Sequence, residues 1–141
     1  MDAFTFLRER TPLFDSMTDE NLAVLAESSK LLTFNAGQSI LFKGTTVDGL
    51  HVIVAGMAGV YVKPLNKAAV QVAALQSGEV CGEMSIVETG VANASVKAIE
   101  NTMVLLIPQE SFRHVLQQDE GFAVRVNTLI KSRRSLPQVL A

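Results

Sequence analysis

The sequence is poor in the residues that carry most metal and enzyme chemistry. It has one cysteine, Cys81, and two histidines, His51 and His114, in 141 residues. A single cysteine excludes an internal disulfide framework and every multi-cysteine metal site. Two histidines, one in a strand-like run and one in a helical run, are too few for the converging ligand set of a metal-binding β-roll. They read as scaffold or surface residues. No stretch reaches the roughly 18 consecutive apolar residues of a membrane helix. The N-terminal "MDAFTFLRERTPLF" lacks both the positive cluster and the continuous apolar core of a signal sequence. Charge of one sign is scarce too: twelve basic against fourteen acidic residues leave a net charge of -2, which gives no field for nucleic acid. From these absences we expect a soluble, cytoplasmic chain. At 48% hydrophobic residues it can bury a core, and its length suits one domain over residues 1–141.

The hydrophobic pattern divides the chain into helix, β-rich centre, helix, helix. Residues 3–9 fit a short helix ending before Pro12. In "DSMTDENLAVLAESSK", Ser16 or Thr18 can cap a second helix, Asp19 and Glu20 suit its positive end, and Leu22, Leu25 and Ala26 share a face, with an end by Ser29. From 31 to 107 the period changes. The runs "LLTF", "SILF", "LHVIV", "VYV", "AVQVAAL", "ASVKAI" and "TMVLLI" are separated by Gly, Asn, Pro or Lys breaks. Many short strands with such breaks predict a mainly β, jelly-roll-like antiparallel barrel. Two helices follow over about 108–135: Phe112, Val115 and Leu116 mark one face, and Phe122, Val126, Leu129 and Ile130 recur at helical spacing in the last.

No catalytic set converges in the sequence. Cys81 lacks a cationic or histidine neighbour and fits a buried apolar position. The pairs Asp19–Glu20 and Asp119–Glu120 flank helix starts, where the dipole accounts for them. Met57, Met84 and Met103 read as core filler. The "KSRRS" cluster at 131–135 is the one concentration of positive charge, and a solvated helix end is its simplest reading. An acidic partner or an interhelical contact in a dimer would use it otherwise. We therefore expect no enzyme activity and no metal.

One stretch stands apart, Gly82–Val96, "GEMSIVETGVANASV". A brief helix from Glu83 would point its first N–H groups at a common spot, and Gly82 allows close backbone approach. Glu83 can accept hydrogen bonds from a diol. Yet the stretch holds no Lys or Arg. The equally simple alternative is a turn and helical connection between strands.

From "PLFDSMTDENLAVLA" through "GQSILFKG", "LHVIVAGMAGVYV" and "LQSGEVCGEMSIV" to "ASVKAIENTMVLLIPQESFRHVL", the chain resembles the cyclic nucleotide-binding domains of protein kinase A regulatory subunits, gated channels and catabolite-activator-type transcription factors. Gly37, Gly44, Gly56, Gly59, Gly78 and Gly82 fall where that family's β-roll turns. The resemblance implies a phosphate-binding cassette in which a Glu holds the ribose 2′-hydroxyl and an Arg pairs with the cyclic phosphate. Carried over, Gly82 and Glu83 match, Met84 and Ser85 continue the run, Ala94 and Ser95 match the small pair, and Val96 opens a strand. Val91 stands at the Pro position and Ala92 at the Arg position, followed by Asn93. The nearest cation, Lys97, falls on the strand face opposite Ala92, Ala94 and Val96. Cys81 replaces a common aromatic.

The resemblance implies a stand-alone regulatory or scaffold module whose altered pocket binds cyclic AMP or cyclic GMP weakly or not at all. Two alternatives stay open. One is a true sensor using Glu83 and backbone amides, with Asn93 or Ser95 as added donors. The other is a protein-interaction module that dimerises through the last helix, by Phe122, Val126 and Leu129, or docks a regulatory protein. The family's transcription factors continue into a helix-turn-helix after the long helix, whereas this sequence runs out at "SLPQVLA", so no DNA contact by this chain is expected.

Overall fold

The computed structural model describes residues 1–88, 92 and 94–134. The chain runs α1 (Ala3–Arg10), a 3-10 turn (Pro12–Phe14), α2 (Asp19–Ser28), β1 (Lys30–Phe34), β2 (Ser39–Leu41), β3 (Gly49–Ala55), β4 (Ala58–Val62), β5 (Val70–Leu75), β6 (Val80–Cys81), α3 (Glu83–Glu88), β7 (Ser95–Ala98), β8 (Thr102–Pro108), α4 (Gln109–Gln118) and α5 (Glu120–Arg134). Thr18 is the cap of α2, its side chain accepting from the Asn21 N–H. The Asp119 carboxylate caps α5 by accepting from the Phe122 N–H at 3.0 Å.

The strands form two four-stranded antiparallel sheets, β1-β8-β3-β6 and β2-β7-β4-β5. This is the jelly-roll-like antiparallel arrangement expected from the sequence, with the strands in two sheets and no closed barrel among the described residues. The strand runs fall within a few residues of the expected breaks. The exception is β6, whose two residues are too few to show a period; pairing of His51 with Cys81 and Val52 with Val80 makes it a strand. Of the spaced glycines, Gly37, Gly44, Gly56, Gly78 and Gly82 have positive φ. At Gly56, φ is 92° and a Cβ would lie 2.4 Å from the Asn101 carbonyl, so the β3–β4 turn requires glycine there. Gly59 differs from the expectation, lying inside β4 rather than at a turn.

Residues of both sheets meet in one core, with Leu50, Val52 and Ile53 of β3 and Val104 and Ile107 of β8 joined by Leu41, Ala58, Leu75 and Val96. β3 is buried at five successive positions because helix α4 also packs on it, which explains why "LHVIV" shows no clean alternation. Met57 and Met84 are half-buried, but Met103 is 36% exposed and is not core filler.

Helix α5 returns to the chain start. Phe122 lies 5.5 Å from the Phe14 ring and 5.6 Å edge-on from Phe112, and Arg125 donates to the Pro12 carbonyl at 2.8 Å. Phe122, Val126 and Ile130 are buried against the chain itself. Of the three residues of the alternative dimer seam, Phe122 and Val126 are covered by the chain itself, and Leu129 is half-buried.

Candidate functional site

Gly82 turns the chain out of β6 and into α3. Its φ is 93°, and a Cβ would stand 3.1 Å from the Gly49 carbonyl and 3.2 Å from Val47, so glycine permits this approach to the edge of β3. The next residue, Glu83, begins α3 with its side chain only 2% exposed. A carboxylate so deeply buried needs a partner, and Arg133 of α5 supplies it, Nη1 donating to Oε1 at 2.6 Å. The second oxygen, Oε2, is buried without a partner among the described residues.

Arg133 is the site residue that sequence reasoning missed. It belongs to the "KSRRS" cluster, read as a solvated helix end, yet its side chain is 22% exposed and directed onto Glu83. A signal was present. Phe122, Val126 and Ile130 step along α5 at four-residue spacing, and Arg133 extends the same stripe by three. The stripe gives the inward face of α5. It gives no information on what stands opposite, 50 residues earlier in the chain.

Ala92 is 3% exposed and packs with the hydrophobic core. Its N–H donates to the Thr45 carbonyl and its own carbonyl accepts from Gly44, at 2.8 and 2.7 Å, which pins it to the loop after β2. Ser95 belongs to the same corner, where its hydroxyl accepts from the Lys43 N–H at 3.2 Å. Met84 and Ala94 are half-buried. Asn93 and the side chain of Ser85 lie outside the described residues, as does Val91. Lys97 is exposed, with its ammonium 5.8 Å from the Tyr61 ring centre, on the opposite face of β7 from buried Val96. It does not serve the cassette.

Cys81 is buried behind Glu83, as the sequence led us to expect. Burial, then the Glu83 charge, pushes its thiol from an ordinary 9.0 up to about 12, with Arg133 acting in the other direction. Between these values the unfolded chain gives up the proton and the folded chain keeps it, so stability falls as pH rises from 9.0 towards about 12. Iodoacetamide at pH 8 is accordingly expected to label the native chain far more slowly than the urea-unfolded chain, as read by mass spectrometry; equal rates would contradict a buried thiol. His51 sits opposite Cys81 and its imidazole is depressed by burial, against the pull of the Gly49 carbonyl, which accepts from Nδ1 at 3.0 Å. His114 is exposed on α4. Among the described residues no group of three or more His, Cys, Asp or Glu could hold a metal, and no helix is long and apolar enough to cross a membrane.

A groove of about 330 Å³ lies elsewhere, lined by Met1, Phe6, Leu31, Met103 and Leu105 among others. None of the cassette residues lines it.

Residues 31–119 match the family model for the cyclic nucleotide-binding domain. The chain belongs to this family. Among curated cyclic nucleotide-binding-domain relatives, lysophospholipase nte1 of Neosartorya fischeri is 30% identical over 72% of this chain, which spans only 7% of that protein. The cyclic AMP receptor protein of Thermus thermophilus is 24% identical over 77% of this chain and half of its own length. In structure, the chain superposes on the Thermus thermophilus catabolite activator protein with a TM-score of 0.77, at 24% identity, over 87% of this chain and 58% of that one. It superposes on the regulatory domain of Toxoplasma gondii protein kinase A, crystallised with cAMP, with a TM-score of 0.79, at 20% identity, over 94% and 48%. A regulatory subunit of a cAMP-independent protein kinase A from Trypanosoma brucei, in a triply substituted form bound to cAMP, gives 0.79 at 19% over 94% and 46%. At these identities the structural likeness establishes the fold. The family is one of regulatory binding domains, and the chain spans a small part of the lysophospholipase relatives.

Proposed function

We propose that this chain is a regulatory binding module of the cyclic nucleotide-binding family, without enzyme activity, whose pocket has lost ordinary cyclic AMP and cyclic GMP recognition. The site residues in this reading are Gly82, Glu83, Met84, Ser85, Ala92, Asn93, Ala94 and Ser95. The observation that carries it is Ala92: a methyl group packed in the core, at the position that the resemblance gives to the Arg of the cyclic phosphate. The residues fit the hydroxyl half of the ligand and not the phosphate half. Charge-assisted hydrogen bonds to phosphate are worth roughly 1.5–3 kcal/mol each, and a planar guanidinium makes them in pairs. At about 1.4 kcal/mol per tenfold, losing such a pair, about 3–6 kcal/mol, weakens binding by roughly a hundred- to ten-thousand-fold. The Trypanosoma neighbour supports the reading by analogy, since its regulatory subunit is described as cAMP-independent and its cAMP-bound form carries three substitutions, Glu to Ala, Thr to Arg and Val to Ala.

A second reading has its own observation. Among the described residues, Oε2 of Glu83 is a buried acceptor without a donor, which favours a hydroxyl-bearing ligand over an empty scaffold. Titration calorimetry with cyclic AMP and cyclic GMP decides the main point. Binding weaker than the micromolar range is expected, and a submicromolar Kd for either would overturn the altered-pocket reading.

A further inference from the structure

Two turns leave the same end of the sheet β2-β7-β4-β5. Tyr61 pairs with Ser95 and Leu41 with Val96, so β4 and β2 both run out at the Ser95 end of β7. With β7 between them, the turns are rooted about 10 Å apart, twice the spacing of neighbouring strands. The first turn carries Phe42, 60% exposed, and Lys43, also exposed. The Thr45 N–H and hydroxyl both donate to the Phe42 carbonyl, at 3.1 and 2.6 Å, which holds the turn closed. The second turn is the tip of the β4–β5 hairpin. The Lys67 N–H donates to the Pro64 carbonyl at 3.1 Å, and Asn66 takes a φ of 62°, a left-handed conformation that asparagine tolerates in a turn. This places Leu65 at the apex, 86% exposed, with exposed Lys63 and Lys67 on either side.

The charge around these turns is of one sign. Residues 28–78 hold four lysines and one acid, Asp48, in a chain whose net charge is -2. No ion pair among the described residues involves Lys43, Lys63 or Lys67. Lysines alone near a sheet edge would be explained as guards against strand pairing. Leu65 between two of them works against that purpose, because it adds exposed apolar surface where such guards limit it.

The chemistry of the partner follows from the shape and the residue types. The turns project, so they suit a surface that yields to them rather than one that must offer a matching groove. Their cations are lysines, point charges without the planar fork that selects one phosphate or carboxylate. Spread over two turns, they match a surface of many anions. A nucleic acid would call for several aromatic or arginine platforms on which bases stack, and these turns offer Phe42 alone. An apolar apex with lysines behind it fits a bilayer, where the apex reaches the acyl boundary and the ammonium groups stay among the headgroups.

We propose that this end of the sheet is a docking surface for an anionic lipid bilayer. Leu65 and Phe42 enter the boundary between headgroups and acyl chains, and Lys43, Lys63 and Lys67 lie over the lipid phosphates. The chain rests on the bilayer without crossing it, and the contact is independent of what the cassette binds. Each lysine near such a surface is worth about fivefold in partition, so the three together contribute about a hundredfold.

The chain has no tryptophan, so Leu65→Trp supplies a sole reporter at the apex. With vesicles of phosphatidylcholine containing about one-third phosphatidylserine, its emission is expected to move to shorter wavelength and to be quenched by brominated acyl chains. Val124→Trp, at a position 64% exposed on α5, is expected to show neither change. In flotation with the same vesicles, the double variant Lys63→Glu, Lys67→Glu is expected to lose at least about twentyfold in partition, Leu65→Ser at least about threefold, and added sodium chloride is expected to release the wild type. Partition that survives the charge reversal, equal quenching at the two tryptophan positions, or equal partition onto pure phosphatidylcholine would overturn the proposal. So would absence of partition at low salt, the result expected if these turns faced a protein or a nucleic acid instead.

Discussion

Arg133→Met lowers the unfolding free energy by about 3 kcal/mol, and adding Glu83→Met restores most of it. The reasoning starts from burial. Removing one member of a buried ion pair strands the other, at a typical cost of about 3–5 kcal/mol, whereas replacing both by apolar groups of similar volume is often neutral or stabilising. Glu83 is fully enclosed and Arg133 is 22% exposed, so the lower end of that range applies. The pair also has an oxygen, Oε2, without a partner among the described residues, which the double variant removes together with its desolvation cost. Urea denaturation of the two single variants and the double gives the coupling directly. If the double were as unstable as Arg133→Met alone, the destabilisation would come from lost packing of the arginine stem, and the ion pair would carry no weight in the fold.

Phe122→Ala costs about 3–5 kcal/mol, the usual range for emptying an aromatic site in a core. Phe122 is 1% exposed and touches one ring from the 3-10 turn and one from α4. The deletion therefore loses two ring contacts worth about 0.5–1.5 kcal/mol each beyond area burial, and the void lies at a junction of three elements that cannot collapse independently. Thermal or denaturant unfolding measures it. A loss below about 1 kcal/mol, the scale of a surface change, would mean that α5 does not depend on this anchor. The prediction separates the two ends of α5: Phe122 fixes the helix to the body, and Arg133 fixes its last turn to the cassette.

The helices were legible in the sequence because caps and stripes are local. Thr18 followed by acids, and the stripe Phe122–Val126–Ile130, place α2 and α5 without knowledge of the rest. Most strands were legible for the same reason, since Gly and Asn breaks punctuate them. β6 was not, because two residues have no period and only the partner strand makes them extended. The stripe of α5 was legible as apolar, but not what covers it. An apolar face states that something covers it, and here the chain's own Phe14 and Phe112 do.

The sequence by itself determined the helix–β–helix order and the absence of any Lys or Arg from Gly82 to Val96, because each of these is a property of neighbouring residues. Only the tertiary structure decided that Ala92 packs into the core and that Arg133 reaches Glu83. Helical periodicity fixes the face from which Arg133 projects, but the residue it meets depends on how α5 lies against α3, and that is set by the whole core between them.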